Sequence, residues 1–160
     1  MFTSKLQLVR KSGKKGVDRL EFLQELINEF HNSTSLGIIL HELFKILCNH
    51  NVFLFLLLES QEQVLANLAN FAYDPLNYQY LRELKVIELF TNALSSRNPY
   101  FVLYSLKGIS NLVNDPLNLE IILKSSCVSK IKDFVTSENL ELVKESLTIL
   151  IFISKFHPGL

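Results

Sequence analysis

The sequence predicts an all-α chain folded as a solenoid of about three stacked repeats, and three observations carry that expectation. The first is self-similarity at a fixed offset. "ANLANFAYDPLNYQYL" at 66–81 returns as "KGISNLVNDPLNLEII" at 107–122, so Asn70, Asp74, Pro75, Leu76 and Asn77 fall on Asn111, Asp115, Pro116, Leu117 and Asn118. The same offset carries Ser105 and Leu106 onto Ser146 and Leu147, the beginning of a third copy. The second is the period itself, since repeats of two or three helices recur at about 40 residues and bury one continuous core by stacking. The third is that apolar residues recur at helical spacing and no segment shows sustained alternation.

The elements follow in order. Residues 1–16 read as a disordered basic arm, Lys5, Arg10, Lys11, Lys14 and Lys15 with Gly13 and Gly16 leaving too little apolar surface to order it. The domain then runs over 17–157. "DRLEFLQELINEF" places Leu20, Leu23, Ile27 and Phe30 on one helical stripe, with Asp18 positioned to cap it. Residues 31–60 are atypical and mostly apolar, with a helix expected over 36–48 and no clear periodicity over 52–58. Repeat units over 61–95, 96–136 and 137–157 follow. In the first, Leu65, Leu68, Ala69 and Ala72 make the core stripe of a long helix, leaving Ala66, Asn70 and Tyr73 on another face. Asp74-Pro75 and Asp115-Pro116 read as helix starts: the carboxylate accepts from free first-turn amides, and proline loses nothing where its N–H would be unpaired. Short helices are expected over 75–83 and 86–94, and again over 116–124 and 128–135. Long ones are expected over 100–113, with Leu106, Ile109 and Val113 inward, and over 138–154, capped by Ser137.

Composition narrows the function classes. A chain of 160 residues is one domain, able to bury roughly two thirds of its unfolded surface. The 16 basic and 16 acidic residues cancel, so the whole chain makes no electrostatic case for nucleic acid or membrane. Cys48 and Cys127, without a secretory signal pattern, fit a reducing nuclear or cytoplasmic compartment. Leu36–Leu58 is interrupted by His41, Glu42, Lys45, Asn49, His50 and Asn51 and fails as a membrane span. There is no Gly-rich phosphate loop, nucleophile elbow or Cys-x-x-Cys pair, so neither an enzyme, a cofactor nor a small-molecule substrate is expected. His41, Cys48 and His50 are too loosely spaced to read as a zinc set. Five phenylalanines and tyrosines from Phe71 to Phe90 read as packing between helices rather than a base-stacking platform. Lys107 and Arg82 read as solvated helix positions ahead of phosphate contacts. Tyr73 and Tyr78 flank a turn, where an aromatic can anchor a partner.

Two short helices and a long one in each repeat, the long one reading Leu-x-Asn-Leu-Ala, resemble the armadillo repeat. The resemblance implies a right-handed armadillo-type superhelix whose long third helices line a concave groove. In the peptide-binding members a Trp and, four residues on, an Asn line that groove, the Asn bonding the backbone of an extended peptide. Asn70 and Asn111 stand at the Asn position, and Ala66 and Lys107 stand where the Trp would be. The implied partner-binding groove is Ala66, Asn70, Tyr73, Lys107, Asn111 and Asn114. The Asn residues have a second reading, in which each bonds a carbonyl of the neighbouring repeat. "RLEFLQELINEF" and "EQVLANLANFAYDPLNYQYLRELKVIELF" are especially similar to a small armadillo protein of the minor spliceosome. That similarity implies a nuclear, non-catalytic scaffold for splicing of minor-class introns, with an RNA-recognition-motif protein as partner and any RNA contact indirect. Residence is expected in the nucleus, with the cytoplasm as a second compartment, and the other functional reading is a stand-alone peptide adaptor in nuclear transport or adhesion and signalling. By the family's pattern another repeat would follow, so the last helix is expected to present an apolar face.

Overall fold

A computed structural model describes residues 20–32 and 50–156. The basic arm, Asp18, Cys48 and the helix expected over 36–48 lie outside the described residues. A first helix, α1, covers residues 20–32. The long helix α2 runs from His50–Phe71 without a break, so the segment of blurred periodicity is its beginning, and the boundary expected at 60/61 falls inside it. A 3-10 turn at Pro75–Asn77 leads into α3 (Tyr78–Glu83), followed by α4 (Val86–Ala93) and the long α5 (Pro99–Leu112). The pattern recurs as α6 (Pro116–Lys124), α7 (Cys127–Asp133), a 3-10 turn at Phe134–Thr136 and the long α8 (Leu140–Phe156). Every described element is helical. The starts pair at the offset seen in the sequence, Pro75 with Pro116, Val86 with Cys127 and Pro99 with Leu140.

The long helices carry the stack: α2 packs on α5 and α5 on α8, while α4 lies against α5 and α7 against α8. The expected stripe of α2 is its core face, with Leu65, Leu68 and Ala72 fully enclosed and Ala69 nearly so. Leu106, Ile109 and Val113 are inward on α5, as expected. On α1, Leu23, Leu26 and Ile27 enter the same core, and Leu20 and Phe30 are half-buried. The Phe22 ring lies 5.4 Å from Phe71 and the Phe30 ring 6.2 Å from Phe101, which ties α1 to both α2 and α5.

The Asp-Pro corners act as helix starts. Asp74 accepts from the Leu76 amide at 3.0 Å and Asp115 from the Asn118 amide at 2.9 Å, each followed by proline in the first turn. Asn77 and Asn118, the last members of the repeated Asp-Pro-Leu-Asn, are both buried, and Asn77 donates back to the Phe71 carbonyl at 2.9 Å. The cap of α8 differs from the expectation. Asn139 accepts from the Glu141 amide at 2.9 Å, and the Ser137 hydroxyl instead accepts from the Asn139 amide. The same pair stands one repeat earlier as Ser96 and Asn98. An Asx side chain reaching two residues ahead takes over the cap, so the helix starts later than Ser137 alone would set it.

Two sites show how closely the layers approach. Gly108 on α5 faces Phe90 on α4, and a Cβ there would lie 2.3 Å from the buried ring. Ser105 and Ser146, equivalent in successive repeats, are fully buried, and their hydroxyls have no hydrogen-bond partner among the described residues. Replacing Gly108 by Ala favours the helix by about 1 kcal/mol, but forces an enclosed ring to move, an overpacking cost of about 1–3 kcal/mol. The Gly108→Ala chain is therefore expected to be less stable by about 1 kcal/mol in urea unfolding, with recovery when Phe90→Leu is added.

Candidate partner-binding groove

A depression of about 290 Å3 opens between the long helices, lined by Ala66, Asn70, Lys107, Asn111, Tyr104 and Glu145 among others. Four of the six residues nominated by the sequence are thus brought together, from α2 and α5, because the repeat offset sets equivalent turns of stacked helices side by side. Tyr104 and the α8 residue Glu145 were missed. Tyr104 lies three residues before Lys107, on the same helical face, a spacing visible in the sequence. The remaining two nominees lie elsewhere: Tyr73 is 79% exposed, and Asn114 lines two neighbouring depressions beside Pro116.

The two asparagines have different surroundings. Asn111 donates its side-chain amide to the Ala69 carbonyl at 3.0 Å, the bond to the neighbouring repeat that was its second reading. Asn70 is exposed, and Lys107 is half-buried. Lys107 and Glu145 give the groove one charge of each sign.

Beside the groove, a latch joins the repeats. The Tyr78 hydroxyl donates to the Asn111 carbonyl at 2.9 Å. The Arg82 guanidinium pairs with the Asp115 carboxylate at 2.7 Å and donates to the Asn118 side-chain oxygen at 3.0 Å. Arg82 is therefore not the solvated residue the sequence suggested. It binds the very carboxylate that caps α6, holding α3 to the start of the next repeat. The aromatics from Phe71 to Phe90 pack as expected except Tyr73, with Phe90 fully enclosed and Phe71, Tyr78 and Tyr80 against the core. Lys130 donates to the Thr91 carbonyl at 2.8 Å, so α7 closes the end of α4 in the same manner. Asn98 donates to Glu62 at 2.7 Å across α5 and α2.

Burial pushes the Cys127 thiol up to about 11, against smaller opposing effects of Thr91 and Lys130, so it is a packed core group rather than a nucleophile. Among the described residues no cluster of His, Cys, Asp and Glu is placed to hold a metal ion. None of the described helices is long and apolar enough to cross a membrane.

No family model matches the chain. It is similar to Armadillo repeat-containing protein 7 of Mus musculus, 40% identical over 93 residues, which is 58% of this chain and 36% of that protein. The chain therefore spans about a third of the relative it matches. Similarity and geometry agree on an all-α solenoid of armadillo type.

A double-mutant cycle tests the latch. Arg82→Met leaves the buried Asn118 oxygen without its donor and is expected to cost about 1–2 kcal/mol; Asp115→Asn keeps a capping side chain but loses the ion pair. The coupling read from urea unfolding should be about 0.5–1 kcal/mol for a partly exposed pair, and smaller at high salt. Burial first, then the Asp115 and Asp74 carboxylates, hold the Tyr78 phenol above its ordinary value of 10.0. A raised acid pKa stabilises the fold through the neutral form. That contribution is complete below about pH 10 and is lost as pH rises through the raised value, a step that Tyr78→Phe removes from the alkaline unfolding profile.

Proposed function

We propose that the protein is a non-catalytic armadillo-type scaffold whose groove holds a protein partner within the minor spliceosome, the partner carrying an RNA-recognition motif and mediating any contact with RNA. The observation that supports this reading is the convergence of Ala66, Asn70, Lys107 and Asn111 in one open groove. A solenoid presents such a surface without moving parts, since each long helix is fixed by its neighbours. Groove side chains then act as follows. Asn70, exposed on α2, is free of the stack and offers both a donor and an acceptor to a partner backbone. Asn111 spends one donor on Ala69 and keeps its side-chain oxygen for a backbone N–H. Ala66, where the peptide-binding members have a Trp, leaves room for a partner side chain, and Lys107 and Glu145 select polarity around it. The resemblance to the spliceosomal armadillo protein supports the choice of ribonucleoprotein and of nuclear residence.

Affinity purification of the tagged chain from nuclei should recover an RNA-recognition-motif protein together with minor-spliceosome components. The groove variant Asn70→Ala combined with Lys107→Glu should lower that recovery at least tenfold while leaving the helical circular-dichroism signal intact. Recovery of neither class of partner overturns the assignment, and selective capture of extended basic peptides would instead favour the transport or signalling adaptor.

A further inference from the structure

The groove between the long helices holds two charges that the fold leaves unused. Lys107 on α5 and Glu145 on α8 both line it and are half-buried, and neither makes an ion pair or a side-chain hydrogen bond among the described residues. Elsewhere Arg82 is held by Asp115, Lys130 by the Thr91 carbonyl and Lys124 by Glu120. Lys107 and Glu145 do not neutralise each other because they stand on different turns. The residue of α5 equivalent to Glu145 is Tyr104, and Lys107 lies three residues beyond it. The two charges are therefore set diagonally, offset by about 8–10 Å between packed helices and by about 4.5 Å along them.

We propose that this groove selects an extended partner segment carrying one acidic and one basic side chain two residues apart, the acid meeting Lys107 and the base meeting Glu145. The inference rests on the groove being the partner surface, and it adds the charge pattern of the segment that enters. Residues two apart in an extended chain point to the same side at a spacing of about 6.5–7 Å. The reach of long side chains on both partners covers the rest of the diagonal. A segment of acids alone would set a carboxylate beside Glu145, and one of bases alone would set an ammonium beside Lys107. Half-burial makes either mismatch costlier than it would be in open water, because solvent screens it less. Ala66 and Ala69 contribute only methyl groups to the lining, which leaves the backbone of the segment room beside Asn70.

The probes are acetylated, amidated heptapeptides, Gly-Ser-Glu-Ser-Lys-Ser-Gly, its Lys-first counterpart, and versions with Glu or Lys at both charged places, titrated into the isotope-labelled chain by NMR. One mixed order should bind at least fivefold tighter than the other order and than both like-charged peptides, with shifts centred on the Asn70, Lys107 and Asn111 amides. The advantage should shrink at high salt. The charge-swapped chain, Lys107→Glu with Glu145→Lys, should prefer the opposite order while keeping its helical circular dichroism. Glu145→Gln alone should erase the advantage of the mixed peptide over the one with two Glu. A like-charged peptide that binds as well as both mixed ones overturns the proposal, as do equal binding of the two orders, an unchanged order in the folded swapped chain, or no response to any peptide. If the swapped chain does not fold, a mixed-over-acidic advantage that persists in Glu145→Gln is the overturning result. Failure here is distinguishable from failure of the scaffold reading, since the unmodified chain still recovers its nuclear partners in the first case and recovers none in the second.

Discussion

The Asp-Pro corner that follows α2 and again α5 is the constraint on which the remaining architecture depends. A carboxylate placed one residue before proline ends one direction of chain travel and starts another, because it accepts first-turn amides that have no intrahelical partner. In this protein Asp115 has two tasks. It holds the start of α6 through the Asn118 amide and, through its pairing with Arg82, fixes that start against α3 of the preceding repeat. Local chain reversal and the register between repeats are thereby set by one side chain. The stacking of α2, α5 and α8 follows, and with it the alignment of groove residues one repeat apart.

The stack behaves as a one-dimensional assembly, each layer touching mainly its neighbours, and its two ends differ in chemistry. At one end α1 turns Glu21, Gln24, Glu25 and Asn28 outward, a polar cover over the core. At the other, α8 buries Leu142, Ser146, Ile149 and Ile153 against α5 while Leu140, Leu147 and Ile151 are exposed. The counterpart of Leu147 in α5, Leu106, is fully enclosed. The apolar outer face expected of the last helix is thus present.

Much of this was legible because periodicity and capping are local properties. The stripes of Leu65, Leu68 and Ala72 and of Leu106 and Ile109 are encoded at helical spacing, and the Asp-Pro starts lie within a tetrapeptide. What was not legible involves partners chosen by the fold. Arg82 looked like any charged residue on a helix, since nothing in its own neighbourhood announces a carboxylate 33 residues away. The beginning of α2 was obscure for the opposite reason: its run of Phe, Leu and Val offers no contrast between faces from which a period could be read. Lys85 is a third case. It adopts left-handed backbone, φ 55°, between α3 and α4, where glycine would have been the visible signal for the turn. In the groove, Asn70 and Asn111 share a motif position, but their difference in hydrogen bonding arises only when Ala69 is brought beside Asn111.

The close approach of Phe90 to Gly108 has a consequence for how interchangeable the repeats are. At the equivalent positions of the next unit stand Ile131 and Ile149, and all three apolar side chains are completely enclosed. One layer is filled by a large ring against a bare backbone, and the equivalent positions of the other hold two side chains of middling size, so volume is divided differently across each seam. The units share a backbone plan without sharing a lock and key. A module excised from one place and inserted at another would bring half of a matched pair, meeting either a void or a collision, and the order of the repeats is thereby written into the core itself.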